Sequence, residues 1–291
     1  MVEDRIGRMR ALLLDRLPCE NVIKTDVPGL ALFRIDHSFK KRPQLYSPQI
    51  ILLAQGRKRV YLGDRKFEYD PRRYYVQAVH LPVECEAVID DGRPMLGMTL
   101  SVSPEAIGEI LSEMGADLPL VGKVHTSLYD APLSEDMIEA AVRLLGSLSS
   151  PRESKVLGPL YLKEILFKVL IGKHGEVLRE LAINNRGFYQ ISRIINKIHE
   201  NCAREFDVRE LAKEAGMSAT SFHAAFKNLT DTSPLQYIKN VRLHKAKELI
   251  QLQGEKANQA ASVVGYESVT QFSREYKRCF GVTPGRDRLA V

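Results

Sequence analysis

The side chains that could carry covalent or metal chemistry are dispersed along this 291-residue chain. Cys19, Cys85, Cys202 and Cys279 are far apart, with no C-x-x-C pair and no metal-ligand spacing. In the strand-rich part of the sequence His37 and His80 are the only histidines, and no His-x-His pair occurs. H-E-x-x-H, P-loop and G-x-S-x-G patterns are also missing. No catalytic constellation emerges, so no enzyme activity, cofactor or metal is expected. The chemistry that is concentrated is cationic. Residues 186–291 hold 17 Lys and Arg against 11 Asp and Glu, a balance of +6, whereas residues 1–185 hold 25 of each sign. Neutralising phosphates releases counterions and supplies most non-specific affinity for nucleic acid, so this asymmetry suits a DNA-binding segment. A soluble domain that is merely basic is the plain alternative.

Two copies of one pattern would position these cations. The first, Val208 to Leu229, reads VRELAKEAGMSATSFHAAFKNL; the second, Lys256 to Phe280, reads KANQAASVVGYESVTQFSREYKRCF. Each has small residues (Ala212 and Ala215; Ala260 and Ala261) ahead of a turn glycine, Gly216 or Gly265. A Ser follows two or three positions on, then a helix with Phe222, Ala225 and Phe226, or Phe272, Tyr276 and Phe280, at helical spacing. Two steeply crossing helices need small residues where their backbones touch and a glycine that takes positive φ in the turn. This is a helix-turn-helix pattern, whose second helix is free to enter a DNA major groove. Between the copies, Pro234 opens a helix reaching about Leu252. At roughly 18 residues it would span about 27 Å, a rod suited to holding two reading helices near successive groove segments about 34 Å apart.

The preceding sequence has a different texture. Residues 3–17 form an amphipathic helix pattern without the apolar run of a signal peptide, and no stretch of about 18 apolar residues would span a membrane; a cytoplasmic protein is expected. Strands are expected at Leu30–Ile35, Gln49–Gln55, Arg59–Leu62, Lys66–Tyr69, Tyr74–Leu81, Cys85–Ile89 and Met95–Val102. Gly63-Asp64 and Asp91-Gly92 carry turn signals. Short strands at close spacing argue for an antiparallel barrel or sandwich. Helices follow: one opening at Ser103-Pro104, one from Ser134 to about Leu148, then about Gly158–Ile171 and Glu176–Ile183. Such helices pack on a sheet or on a second subunit. Asn184-Asn185-Arg186-Gly187 reads as the linker, followed by a helix over about Tyr189–Cys202 with Ile191, Ile194, Ile195 and Ile198 on one side.

From about Tyr189 to Arg288 the sequence resembles the DNA-binding domain of the AraC/XylS family of bacterial transcription regulators. The resemblance rests on Gly265-Tyr266-Glu267-Ser268, Phe272, Arg274, Tyr276-Lys277, Phe280-Gly281, Thr283-Pro284 and Arg288, with Arg242, Ala246, Leu249 and Ile250 on the connecting helix. The order of elements in the N-terminal part is similar in plan to that family's cupin-like domains. The resemblance implies an α+β protein: a cupin-like antiparallel β-barrel with helices over residues 1–183, for effector binding and dimerisation, and an all-α DNA-binding domain over 188–291. Its two helix-turn-helix units would occupy 208–229 and 257–280. The implied partners are double-stranded promoter DNA, a small-molecule effector, RNA polymerase and a second copy of the chain, with no membrane.

The positions that match the family's base-reading faces are Val269, Thr270, Gln271, Ser273 and Arg274 in the second unit, and Thr220, Ser221, His223 and Ala224 in the first. Arg274 could donate twice to a guanine edge, Gln271 could pair with adenine, and Thr270 could place its methyl against thymine. Ala224 stands where other members carry a long donor such as Arg, so less direct readout is expected from the first unit, with His223 its best reader. Lys227, Lys277 and Arg278 are expected on phosphates. Plainer roles are a solvated His223 and an Arg274 paired with a nearby acid such as Glu267. An effector pocket in the barrel would draw on Tyr46, Tyr61, Tyr75, Gln77 and His80. Cys85 is read as a buried hydrophobe rather than a reactive thiol. A regulator without a small-molecule effector and a cupin-type enzyme fused to a DNA-binding domain are the competing functions. The effector, the operator and the sign of regulation are not legible.

Overall fold

A computed structural model describes residues 2–89, 91–115, 126–182 and 187–288. The chain divides into two units, Met1–Lys41 with Ser47–Ala78 and Cys85–Asn184, and Arg42–Tyr46 with Val79–Glu84 and Asn185–Val291. Helix α1 (Val2–Arg16) comes first, followed by β1 (Asn21–Lys24), β2 (Leu30–Ile35), β3 (Phe39–Tyr46), β4 (Gln49–Gln55), β5 (Arg57–Leu62), β6 (Arg65–Tyr69), β7 (Arg73–Gln77), β8 (Leu81–Val88) and β9 (Met95–Ser101). Helix α2 (Pro104–Met114) precedes β10 (Leu128–Pro132), and α3 (Glu135–Gly146), α4 (Pro151–Val156), α5 (Gly158–Ile171) and α6 (Glu176–Ala182) follow.

The strands form a six-stranded sheet in the order β1-β2-β9-β4-β7-β10 and a four-stranded sheet in the order β3-β8-β5-β6. The expected closed barrel is therefore two open sheets among the described residues. Strand β4 shows why the six-stranded sheet holds together. Its residues Ile50 to Ala54 are all buried, as a strand covered on both faces requires, and it pairs antiparallel with β9 (Leu52 opposite Met98) and with β7 (Ile50 opposite Val76). Each such Leu or Ile, fully buried, contributes about 1.5–3 kcal/mol of transfer free energy. Helix α1 packs on β4 and β9 and on α3, which in turn packs on α5. The helices of this unit thus cover a sheet and one another.

Gly63-Asp64 makes the two-residue turn between β5 and β6, with Leu62 opposite Arg65. Asp91 and Gly92 also turn, at φ of 57° and 66°, but β8 and β9 belong to different sheets, so this turn crosses between sheets and closes no hairpin. The expected strand Tyr74–Leu81 ends at Gln77, and Leu81 instead begins β8. Strands β1, β3 and β10 and helix α4 were not expected from the sequence. Of the expected linker Asn184-Asn185-Arg186-Gly187, residues 184–186 lie outside the described residues and Gly187 begins the next helix.

The second unit is helical apart from its strand segments. It contains α7 (Gly187–Glu200), α8 (Val208–Glu214), α9 (Ala219–Thr230), α10 (Pro234–Leu252), α11 (Ala257–Val263), α12 (Val269–Phe280) and α13 (Pro284–Arg288). Helix α7 buries Phe188, Ile191, Ile194, Ile195 and Ile198 along one side. Helix α10 begins with Pro234 at its first position behind the capping Ser233 and runs for 19 residues, which spans about 28 Å at the α-helical rise.

Candidate nucleic-acid interface

The two helix pairs, α8–α9 and α11–α12, close their turns by the same hydrogen bonds. In the first, the Met217 amide donates to the Ala212 carbonyl at 2.9 Å and the Gly216 amide to that of Lys213 at 3.0 Å. In the second, the Tyr266 amide donates to Ala261 at 2.9 Å and the Gly265 amide to Ser262 at 3.1 Å. This is a Schellman stop, which needs positive φ at the glycine, here 67° at Gly216 and 82° at Gly265. The following helix starts on a capping serine: Ser218 Oγ accepts from the Ser221 amide and Ser268 Oγ from the Gln271 amide, each at 3.2 Å. The second turn is one residue longer, because its cap lies three residues past the glycine and not two.

Buried aromatics fix which face of each second helix is left outside. Phe222 and Phe226 of α9, and Phe272 and Tyr276 of α12, are fully buried. Phe272 and Tyr276 pack with Leu243, Ala246, Ile250, Ala260, Ala261 and Val264. The Tyr276 hydroxyl donates to Asp287 of α13 at 2.6 Å, and Gln251 of α10 donates to the same carboxylate at 3.0 Å. On the outer faces, Thr220, Ser221, His223, Ala224 and Lys227 of α9 are exposed, as are Val269, Thr270, Gln271, Arg274, Lys277 and Arg278 of α12; Ser273 is half-buried. Arg274 makes no ion pair with Glu267 among the described residues, so its guanidinium is available to a partner. His223 touches only the edge of its neighbour Phe222 among the ring contacts described, at a centroid distance of 6.4 Å.

Two groups support this face from behind, and the second of them was missed in the sequence. Arg242 of α10 donates to three main-chain carbonyls: Cys202 at 2.8 Å, Arg204 at 2.9 Å and Gly265 at 3.1 Å. It ties the second turn to the chain between α7 and α8. Glu275 of α12 reads as one more surface acid, yet its side chain is only 8% exposed. It accepts from the Tyr266 hydroxyl at 2.8 Å, the Lys239 ammonium at 3.2 Å and the Gln271 carboxamide at 3.3 Å. Burial alone would raise the pKa of this carboxyl, but the hydrogen bonds from Tyr266, Gln271 and Lys239 outweigh it and hold the pKa below the usual value. The only sequence signal was the four-residue spacing from Gln271.

Of the five effector candidates, Tyr75 and Gln77 are brought together on β7. Tyr75 and Gln77, on β7, are fully buried, with the Tyr75 hydroxyl donating to Gln77 at 3.2 Å and its ring stacked on Tyr69 at 4.9 Å. Tyr61, on β5 in the other sheet, donates to Glu86 at 2.9 Å beneath the Lys41 ammonium. Tyr46 is half-buried at the end of β3. His80 lies in the second unit, where its ring stacks on His199 at 4.1 Å and its Nδ1 is 3.2 Å from Asn196 Oδ1. A cleft lined by Gln55, Gly56, Arg57, Asp70, Pro71 and Arg93 contains none of the five. No cluster of three or more His, Cys, Asp or Glu suited to a metal occurs among the described residues. No helix there is long and apolar enough to cross a membrane. Cys85 is fully buried, as expected.

Comparison with known proteins places both parts of this architecture. Residues 26–177 match the family model of the AraC-type transcriptional regulator N-terminus, and residues 211–290 match a helix-turn-helix domain. The probable transcriptional regulator LumQ of Photobacterium leiognathi is 32% identical over 98 residues, 34% of this chain and 40% of LumQ. The thermoregulatory protein LcrF of Yersinia pestis is 26% identical over 197 residues, 67% of this chain and 70% of LcrF. The virulence regulon transcriptional activator VirF of Yersinia enterocolitica is 26% identical over the same length and shares of both chains. In fold, the chain is similar to ToxT of Vibrio cholerae, with a TM-score of 0.62 and 12% identity over 90% of this chain and 98% of that one. It is also similar to unsaturated fatty acid-bound ToxT, with a TM-score of 0.56 and 12% identity over 92% and 97%. The N-terminal model alone spans more than half of the sequence, and with its two helix-turn-helix pairs the chain belongs to the AraC/XylS family of DNA-binding transcription regulators.

Proposed function

We propose that the exposed faces of α9 and α12 read promoter DNA directly: Val269, Thr270, Gln271, Ser273 and Arg274 through α12, and Thr220, Ser221, His223 and Ala224 through α9. Lys227, Lys277 and Arg278 hold flanking phosphates and position the helices without selecting sequence. The observation that supports this most is the state of Arg274 and Gln271. Both are exposed on a helix whose opposite face is locked by Phe272 and Tyr276, so the guanidinium of Arg274 and the outer edge of the Gln271 carboxamide are presented from a rigid base. The bases read by α12 carry the larger share of specificity, because Ala224 offers only a methyl-sized contact.

Residues 1–183 act as the effector-binding and dimerisation part and 188–291 as the DNA-binding part. The effector is a small molecule, a reading supported by the fatty acid bound to ToxT, which shares the fold. Its binding shifts the population of DNA-competent arrangements. Dimerisation uses α5, where Leu160, Phe167 and Ile171 are exposed at seven- and four-residue spacing. The regulator activates transcription with RNA polymerase, as the name of its relative VirF suggests, and works in the cytoplasm. Catalysis has no part in this reading. A footprint on the DNA flanking its own gene tests it. Two protected segments on one face of the duplex, about 34 Å apart, are expected, and protection without sequence preference would refute it.

A further inference from the structure

An exposed glutamine on a reading helix is an ambiguous reader. Its carboxamide can turn over by half a rotation and exchange donor for acceptor at little cost. Gln271 is not free to do so. Its Nε2 lies 3.3 Å from Glu275 Oε1, one helical turn further along α12. Glu275 is held in turn by Tyr266, just past the turn glycine, at 2.8 Å and by Lys239 of the rod helix at 3.2 Å. An ionised carboxylate only accepts hydrogen bonds. Only the NH2 side of the carboxamide can therefore face Glu275, since an oxygen placed there would meet another without a proton between them. The remaining geometry follows. One hydrogen of Nε2 is directed inward to Glu275, while the second, on the side of Oε1, points outward next to the carbonyl oxygen. The outer edge of Gln271 thus offers a donor and an acceptor in one fixed order, the complement of the N7 acceptor and N6 amino donor of adenine. Guanine, with two acceptors on that edge, cannot satisfy it.

We propose that Glu275 is a specificity-determining positioning residue: buried behind the reading face, it fixes the carboxamide of Gln271 in the orientation that selects adenine, and it transmits to that face the placement of the turn at Tyr266 and of the rod at Lys239. Glu275 touches no base itself. The proposal rests on the assignment of Gln271 as a base reader, and the test separates the two. The full-length protein and its Gln271→Ala, Glu275→Gln and Tyr266→Phe variants are each used to select duplexes from a random pool at one fixed salt concentration. Affinity for a non-specific duplex and melting temperature are measured alongside.

A glutamine at 275 both donates and accepts, so it no longer enforces one orientation. Glu275→Gln should therefore lower the preference for adenine at a single base pair about tenfold, within the range of one bidentate contact, while non-specific affinity stays the same. Gln271→Ala should abolish the preference at that same base pair. Tyr266→Phe keeps the carboxylate but removes its firmest tether, and should relax that position by about threefold, the order of one net hydrogen bond; it decides the matter if Glu275→Gln does not fold. Loss of the preference in Gln271→Ala with full retention in the folded Glu275 and Tyr266 variants would overturn the role of Glu275 and leave Gln271 as a reader. No change at any base pair in Gln271→Ala would overturn the assignment of Gln271, and this inference with it. A uniform loss across all positions and on non-specific DNA would show that Glu275 only supports the fold.

Discussion

The guanidinium of Arg242 donates from Nη1 to the carbonyl oxygen of Gly265 at 3.1 Å, so the rod helix holds the turn of the second helix pair by its main chain. The same side chain also donates to Cys202 and Arg204. Three acceptors spread over a planar fork are a geometry that an ammonium cannot reproduce. Arg242→Ala should destabilise the helical unit by about 2–3 kcal/mol, as the loss of charged hydrogen bonds to partly buried carbonyls implies. Arg242→Lys should recover less than half of that. Urea unfolding monitored by far-ultraviolet circular dichroism measures both, and full recovery by lysine would refute the clasp.

The two turn glycines share a hydrogen-bond pattern but not their surroundings, which gives a paired test. A Cβ on Gly216 would meet nothing within 4 Å, whereas one on Gly265 would lie 2.3 Å from the Ala203 carbonyl oxygen. Gly216→Ala should cost only the left-handed backbone strain, about 1–2 kcal/mol. Gly265→Ala should cost clearly more, because the chain held by Arg242 must also move. Melting temperatures of the two variants compare them directly; equal losses would mean that the segment at Ala203 yields freely.

Acid should loosen the helical unit before any of its lowered carboxylates titrates. Burial pushes His199 down to about 3 and His244 down to about 4, from an ordinary 6.5. His199 faces His80, with Tyr237 hydrogen-bonded at 2.8 Å; His244 lies against Phe280 with Lys247 nearby. A histidine whose pKa is lower in the folded state than in the unfolded one stabilises the fold above its unfolded pKa. That stability is lost as the pH falls below about 6.5, at up to about 1.4 kcal/mol per pH unit for each group. Thermal melts at pH 7.5 and 5.5 should show a marked drop, and His244→Gln should flatten it. A pH-independent melting temperature over this window would mean that neither ring is buried neutral.

How much of this was legible depends on the range of the interaction that decides each feature. Helix stops, caps and the small residues before Gly216 and Gly265 act within six residues, and the helix pairs could be read from them. The rod was also legible, since Pro234 at its first turn and Gly254 just past Leu252 mark its ends. Strands β2 and β4 had apolar runs to announce them. Strand β3 was hidden by Lys40, Lys41, Arg42 and Pro43, and β10 by its position after a helix and its terminal proline. The turn chemistry of Asp91 and Gly92 gave the bend but not the partner of either strand. Whether sheets close is decided by pairings far apart in sequence, which explains the expected barrel. Glu275 was passed over because four-residue spacing from a polar residue usually marks a solvated face, and its burial depends on Tyr266 and Lys239 arriving from other elements.

The exposed stripe on α5 makes self-association testable without DNA. Leu160, Phe167 and Ile171 are 59%, 37% and 53% exposed at spacings that place them on one side of the helix. Leu160→Glu should convert a dimer to a monomer in sedimentation equilibrium without lowering the melting temperature of the monomer. A wild-type protein that sediments as a monomer at tens of micromolar would remove α5 as the dimer face.

Arg274 and Lys277 lie three residues apart on α12, both exposed, yet their substitutions should fail in different ways. Arg274 is closer to the helix start, the end that a helix-turn-helix directs at base edges. Lys277 lies in the last turn, where a cation meets the flanking backbone. Arg274→Ala should therefore cost about 1–3 kcal/mol on the cognate site and little on unrelated duplex. Lys277→Ala should weaken both duplexes alike and reduce the slope of log affinity against log salt by about 1. Titrations at several salt concentrations on both duplexes give all four numbers. If Arg274→Ala weakens cognate and unrelated DNA equally and changes the slope as Lys277→Ala does, Arg274 holds a phosphate, and the specificity of α12 passes to Gln271 and Thr270.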